Sequence, residues 1–305
     1  MRIVFAGSPA LALPSLEHLI AAGHDIVAVL TQPDSPHGRK RLMTPTPVAQ
    51  FAEERSVPVI KTKRIMDAHL DAFRTLGNVD LGVVVAYGAL IPDSALKIPH
   101  HGWINLHFSA LPQWRGAAPA QWTILTGAAE AATSVFELVP ELDAGPVFDI
   151  EFTPLGPDET SGDLLERLSH SGALQLVRVV ESISAGSSSV PQQGEASVAR
   201  KLTMEDAHLT GNESGASAYR RFLAVTPEPG AWFFLGEQRI KVVAAERSGL
   251  NNLAAGQLCI VDGNVYLGTE TTALKLTQVI PAGKSSMSAT DWWRGRQLNA
   301  DVRVH

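Results

Sequence analysis

Over the first 150 residues, short apolar runs alternate with segments whose apolar residues recur at helical spacing. The runs are 2–6, 26–31, 81–86 and 103–108, each bounded by Gly, Pro or Asp, and the helical spacing falls in 14–22, 45–55 and 66–76. That alternation predicts an α/β fold with a doubly wound, mostly parallel sheet. Runs at 133–139 and 146–153 predict two further strands joined by the turn Pro140 to Gly145, and 160–184 reads as one long amphipathic helix. The stretch that follows is poor in apolar residues and holds Ser187-Ser188-Ser189 and Pro191-Gln192-Gln193-Gly194. It predicts a linker over 185–204 between a first domain, 1–184, and a second, 205–305. The second domain carries strand-like runs at 231–235, 239–245, 256–260, 264–268 and 274–280, separated by Gly and Asn. Many short strands predict a smaller β-barrel or sandwich, of which the five-stranded OB-like barrel is one form.

The densest chemistry lies in Ile104-Asn105-Leu106-His107-Phe108-Ser109-Ala110-Leu111-Pro112-Gln113-Trp114-Arg115-Gly116. Side chains alternate across a strand, so Asn105 and His107 share one face while Ile104, Leu106 and Phe108 take the other. Open α/β sheets bind ligands at the carboxyl ends of their strands, which makes this polar pair a candidate site. An amide can donate to an oxygen that turns negative in a tetrahedral intermediate, and an imidazole can move a proton near neutral pH. Asp143, in the turn Leu142-Asp143-Ala144-Gly145, is the carboxylate placed to join them. A hydrogen-bonded core pair and a plain turn aspartate are the bland alternatives. No serine or cysteine stands in a nucleophile elbow, so the chemistry that fits is direct acyl-type transfer without a covalent intermediate.

Composition narrows the setting. With 305 residues and 45% hydrophobic content, the chain can bury a core in each of two domains. Its one cysteine, Cys259, makes no internal disulfide and argues for a reducing compartment. No run approaches the roughly 18 apolar residues of a spanning helix, and the start reads as a first strand, so a cytoplasmic protein without a membrane partner is expected. Residues 1–200 carry 14 Lys+Arg against 21 Asp+Glu, and residues 201–305 carry 11 against 10. A polyanionic partner is allowed by that balance but not demanded by it. The first turn, Ala6-Gly7-Ser8-Pro9, has one of the three glycines of a dinucleotide fingerprint, which argues against a nicotinamide cofactor.

Several stretches together resemble the methionyl-tRNA formyltransferases. They are the opening Arg2-Ile3-Val4-Phe5-Ala6-Gly7-Ser8-Pro9, Thr31-Gln32-Pro33-Asp34 with Gly38-Arg39, Val83 to Gly88, Ile104 to Ala118, Leu142 to Gly145, and Pro281-Ala282-Gly283-Lys284 with Met287-Ser288-Ala289. The resemblance implies a formyltransferase-type Rossmann-like domain followed by a tRNA-binding OB-like domain. It implies transfer of a formyl group from the co-substrate 10-formyltetrahydrofolate to the α-amine of initiator methionyl-tRNA, for translation initiation, with no metal. It places catalysis on Asn105, His107 and Asp143. Folate binding falls on the turn Ser109, Ala110, Leu111 and Pro112, and on Tyr87, Gly88 and Leu90. Contact with tRNA falls on Arg39, Lys40 and Arg41 in a proline- and glycine-framed loop, and on Lys201 and Lys284. A solvated loop and solvated surface charges remain the plain alternatives for those basic residues. Asn105, His107 and Asp143 are shared by folate-dependent formyltransferases acting on other amines, so an enzyme for an amino-sugar nucleotide is the alternative, and a folate-binding module without catalysis is a third. A monomer is the default assembly.

Overall fold

The computed structural model describes residues 1–38, 41–296 and 302–304. It divides into two compact units. The first comprises 1–119, 131–153 and 165–199; the second comprises 120–130, 154–164 and 200 onward.

The first unit is built on a seven-stranded sheet. Its strands lie in the order Val147–Pro154, Glu130–Glu137, Trp103–His107, Leu81–Val85, Arg2–Gly7, Asp25–Thr31, Val59–Lys61. The five from Trp103–His107 to Val59–Lys61 pair in parallel, and Glu130–Glu137 adds antiparallel to Trp103–His107. This is the mostly parallel sheet that the alternating pattern predicts. The helices Leu13–Ala21, Pro47–Glu54, Asp67–Thr75 and Ser161–Ser184 fall where the spacing puts them. Strand Val59–Lys61 and the hairpin of Ser35–His37 with Leu42–Thr44 lie outside the predicted set, because three residues are too few to show a period of two.

Two features of this sheet position the site. From its central first strand the chain builds outward through Asp25–Thr31 and Val59–Lys61, then returns to the other side at Leu81–Val85. Such a reversal leaves a crevice at the carboxyl ends of the neighbouring strands. The second feature is the packing of Trp103, 2% exposed, which donates its indole N–H to the Ala95 carbonyl at 2.9 Å and lies flat over Gly82 of the adjacent strand. A Cβ on Gly82 would sit 2.0 Å from the ring.

The predicted linker is structured. Val190 bridges to Val147, and Val198–Ala199 pairs in parallel with Arg115–Gly116, all within the first unit.

The second unit carries an antiparallel sheet of Trp232–Leu235, Gln238–Arg247, Leu274–Pro281, Asn264–Leu267, Gln257–Val261 and Val302–Arg303, in that order. The five predicted runs are all strands. Pairing among the described residues follows an open path from Trp232–Leu235 to Val302–Arg303. The helix Gly215–Ala224, capped by the Ser214 hydroxyl accepting from the Ser217 N–H, buries Tyr219, Phe222 and Leu223.

Gly82→Ala is expected to destabilise the protein by about 1–3 kcal/mol, because the added methyl must displace a hydrogen-bonded, buried indole. Denaturant unfolding of the two proteins measures it; an unchanged midpoint would show that the Trp103 packing is loose.

Candidate functional site

Strand Trp103–His107 buries Ile104 and Leu106 on one face, with Leu106 against Gly172 of helix Ser161–Ser184. Asn105 and His107 take the other face with Trp103, as the alternation requires. Asn105 opens into a cleft of about 690 Å³ lined by Val84, Gly88 to Pro92, Leu138 to Asp143, and the basic pair Lys63 and Arg64. Its side-chain amide has no hydrogen-bond partner among the described residues, so both N–H donors are available to a ligand.

His107 is 5% exposed and Asp143 8%. The His107 Nε2–H donates to the Trp114 carbonyl at 2.9 Å, while Nδ1 lies 3.9 Å from the Asp143 carboxylate. A carbonyl can only accept, so in the neutral ring the proton sits on Nε2 and Nδ1 is bare. Burial pushes the imidazole below its ordinary value; the Asp143 charge and the Trp114 carbonyl oppose this without overcoming it. The ring is therefore neutral at physiological pH, with a free base nitrogen facing a carboxylate.

Asp143 is held in turn by the Gly116 N–H, which donates to it at 2.7 Å. Gly116 has φ 118°, and a Cβ there would lie 2.8 Å from the Ala199 carbonyl oxygen, so only glycine brings this N–H to the carboxylate. Asp143 (φ 49°), Trp114 (φ 61°) and Ala86 (φ 49°) all occupy the left-handed region, where non-glycine residues cost energy. Strain of this kind gathers where a structure must aim a group.

The other expected site residues divide. Gly88 and Leu90 line the cleft, and Leu90 is 75% exposed, as is Leu142 at 57%. Two bare leucines on one cleft suit a flat aromatic ring. Tyr87 does not reach the cleft: it is buried in the core, its hydroxyl donates to the Thr62 carbonyl at 2.9 Å, and burial pushes it up to about 12. Ser109, Ala110, Leu111 and Pro112 are also not part of the lining. The Ser109 hydroxyl is donated to the Gln113 carbonyl at 2.6 Å, and Leu111 packs with Phe136 and Val147. Arg39 and Lys40 lie outside the described residues. Arg41, Lys201 and Lys284 are exposed. Motif reading missed Leu142, Lys63 and Arg64, whose cleft position depends on packing; an apolar residue beside Asp143 was the available signal for Leu142.

Among the described residues, no three His, Cys, Asp or Glu side chains are grouped to hold a metal ion, and no helix is long and apolar enough to cross a membrane.

An amide, a neutral imidazole and a carboxylate thus gather at the carboxyl end of an open, mostly parallel sheet. The family model described as "Formyl transferase" matches residues 1–180, and "Formyl transferase, C-terminal domain" matches 201–297. A protein named methionyl-tRNA formyltransferase from Pseudarthrobacter chlorophenolicus is 48% identical over 297 residues, 97% of each chain. The chain belongs to the methionyl-tRNA formyltransferase family. Among solved structures, HypX from Aquifex aeolicus in complex with tetrahydrofolic acid shares the fold at TM-score 0.70 and 17% identity, covering 96% of this chain and 47% of HypX. An N-formyltransferase from Helicobacter canadensis, solved with folinic acid and dTDP-3-aminofucose, does so at TM-score 0.68 and 14% identity, covering 90% and 98%.

Below about pH 6.5 the unfolded chain takes up a proton on this histidine that the folded chain does not, so folding stability falls as pH drops. His107→Gln is expected to flatten that loss. Thermal midpoints of both proteins from about pH 7 down to about pH 5 measure it; parallel curves would mean that His107 titrates alike in the folded and unfolded chains.

Proposed function

We propose that this protein transfers the formyl group of 10-formyltetrahydrofolate to the α-amine of methionine on initiator methionyl-tRNA, a reading in keeping with relatives named methionyl-tRNA formyltransferase. One observation carries the reading: an unpaired amide and a buried carboxylate, with a neutral imidazole beside it, stand on an apolar cleft in a chain nearly half identical to enzymes of that name. The exposed leucines Leu90 and Leu142 suit the pterin or benzoyl ring, and Lys63 and Arg64 suit the carboxylates of the glutamate tail. Exposed Lys201 and Lys284 of the C-terminal unit and exposed Arg41 suit contact with tRNA phosphates, and the sequence adds Arg39 and Lys40 as further candidates.

The residues divide the work as follows. Asn105 donates to the formyl oxygen as it becomes negative, an interaction strongest in the tetrahedral intermediate. His107 cannot donate there at the start, because its one N–H is committed to Trp114. Its Nδ1 instead accepts the proton released when the methionyl nitrogen bonds to the formyl carbon. Asp143 then stabilises the imidazolium. His107 returns the proton to the departing folate nitrogen as the carbon–nitrogen bond to folate breaks, and the enzyme ends as it began. The attacking amine must be neutral, and an α-amino pKa of about 8 leaves a useful fraction so.

The amino-sugar nucleotide alternative is weaker. Relatives at 44–48% identity carry the tRNA name, and the C-terminal family model is matched as well.

Purified protein, 10-formyltetrahydrofolate and methionine-charged initiator tRNA are expected to give formylmethionyl-tRNA, with little product from charged elongator tRNA. Formylation of a dTDP-amino sugar in place of tRNA would reverse the choice of acceptor. Asn105→Ala is expected to lower kcat by about 100- to 1,000-fold with donor affinity little changed; a normal kcat in steady-state assays would remove Asn105 from the mechanism.

A further inference from the structure

Gln192 lies in the stretch that composition marks as linker, 49 residues beyond Asp143, yet its side chain is fully committed to the loops around the site. Its Nε2 donates to the Asp143 carbonyl and to the Gly145 carbonyl, both at 2.8 Å. Its Oε1 accepts from Arg115 Nε at 3.1 Å and Nη2 at 2.5 Å. Two donors and two acceptor lone pairs are the whole capacity of a primary amide, and all four are used. The arrangement also fixes the amide's orientation, since a flip would turn its oxygen toward two carbonyls and its N–H groups toward a guanidinium. Arg115 immediately precedes Gly116, whose N–H holds the Asp143 carboxylate. Ser197, in the same stretch between Val190 and Ala199, accepts the Trp114 N–H at 2.9 Å and so steadies the carbonyl that binds His107.

We infer that Gln192 is a positioning residue for formyl transfer: it ties the Asp143 turn to the Arg115–Gly116 segment and thereby sets the carboxylate against His107. The inference rests on the proposed role of Asp143. The Asp143 turn is held in left-handed backbone at that residue. Removing the two side-chain donors takes away the hydrogen bonds that hold the Asp143 and Gly145 carbonyls. Arg115 would lose its acceptor in the same change.

Kinetics with the full-length protein test this. Gln192→Ala is expected to lower kcat by about 10- to 100-fold, the cost of misplacing a reacting group by about an ångström, while tetrahydrofolate binding changes by less than about threefold. Gln192→Glu keeps the volume and the Arg115 pairing but loses both donors; it is expected to show the same loss and covers the case in which the alanine variant folds poorly. The decisive readout is the Asp143→Asn background, where Gln192→Ala should add less than about threefold, because two residues acting through one group are not additive. A kcat within about threefold of the parent for both Gln192 variants would overturn the positioning role, as would full multiplicative loss in the Asp143→Asn background. Should Asp143→Asn itself be fully active, the reading of Asp143 fails first and this inference falls with it.

Discussion

Everything distinctive about this site follows from burying an imidazole and a carboxylate side by side. Taking either group out of water is costly unless its polar atoms are occupied. The fold meets that cost with backbone: the Trp114 carbonyl takes the His107 N–H and the Gly116 N–H takes a carboxylate oxygen. These two contacts come from one short loop after the Trp103–His107 strand. The loop therefore selects the imidazole tautomer and anchors the acid with adjacent residues, and its strained conformation at Trp114 is the geometry needed to do both. Asn105, two residues before His107, is left unpaired on the same face.

That division of labour has a chemical logic. A residue whose hydrogen bonds are all made inside the protein can be aimed but cannot bind substrate; a residue with open donors can. His107 commits one nitrogen to the Trp114 carbonyl and leaves the other bare, which is the nitrogen that the proposed proton transfer uses. Asp143 is aimed by Gly116 and acts through its charge, raising the basicity that burial takes away. The opposition of these two effects keeps the ring neutral but able to accept a proton. A preorganised, largely dry arrangement of this kind needs little reorganisation when charge develops.

The cleft extends the same reasoning to binding. Its walls are mostly apolar, with bare leucines at Leu90 and Leu142, and its polar groups are few: Asn105, Asp143, Asp93, Glu141, Lys63 and Arg64. Apolar walls with sparse, placed polar groups supply area for affinity and direction for orientation. The strap from Val190 to Ala199 braces this region from outside the sheet, contacting Val147, Asp143, Gly145, Arg115 and Trp114 in turn.

The sequence by itself determined the elements and the reactive face. Periods of two and of about 3.6 placed the longer strands and helices of the first unit, though not strand Val59–Lys61, and alternation alone put Asn105 and His107 together. It offered Asp143 as a candidate from its turn and from resemblance, but 36 positions separate it from His107 and no local pattern joins them. Tertiary structure decided the rest. It withdrew Tyr87 into the core, where a phenol hydroxyl finds a carbonyl, and it turned the Ser109 hydroxyl inward for the same reason. It brought Lys63, Arg64 and Leu142 to the cleft and converted a low-hydropathy stretch into the strap that carries Gln192. Composition reports what a segment can bury, whereas hydrogen bonds between segments far apart in the chain depend on where the sheet's topology delivers them.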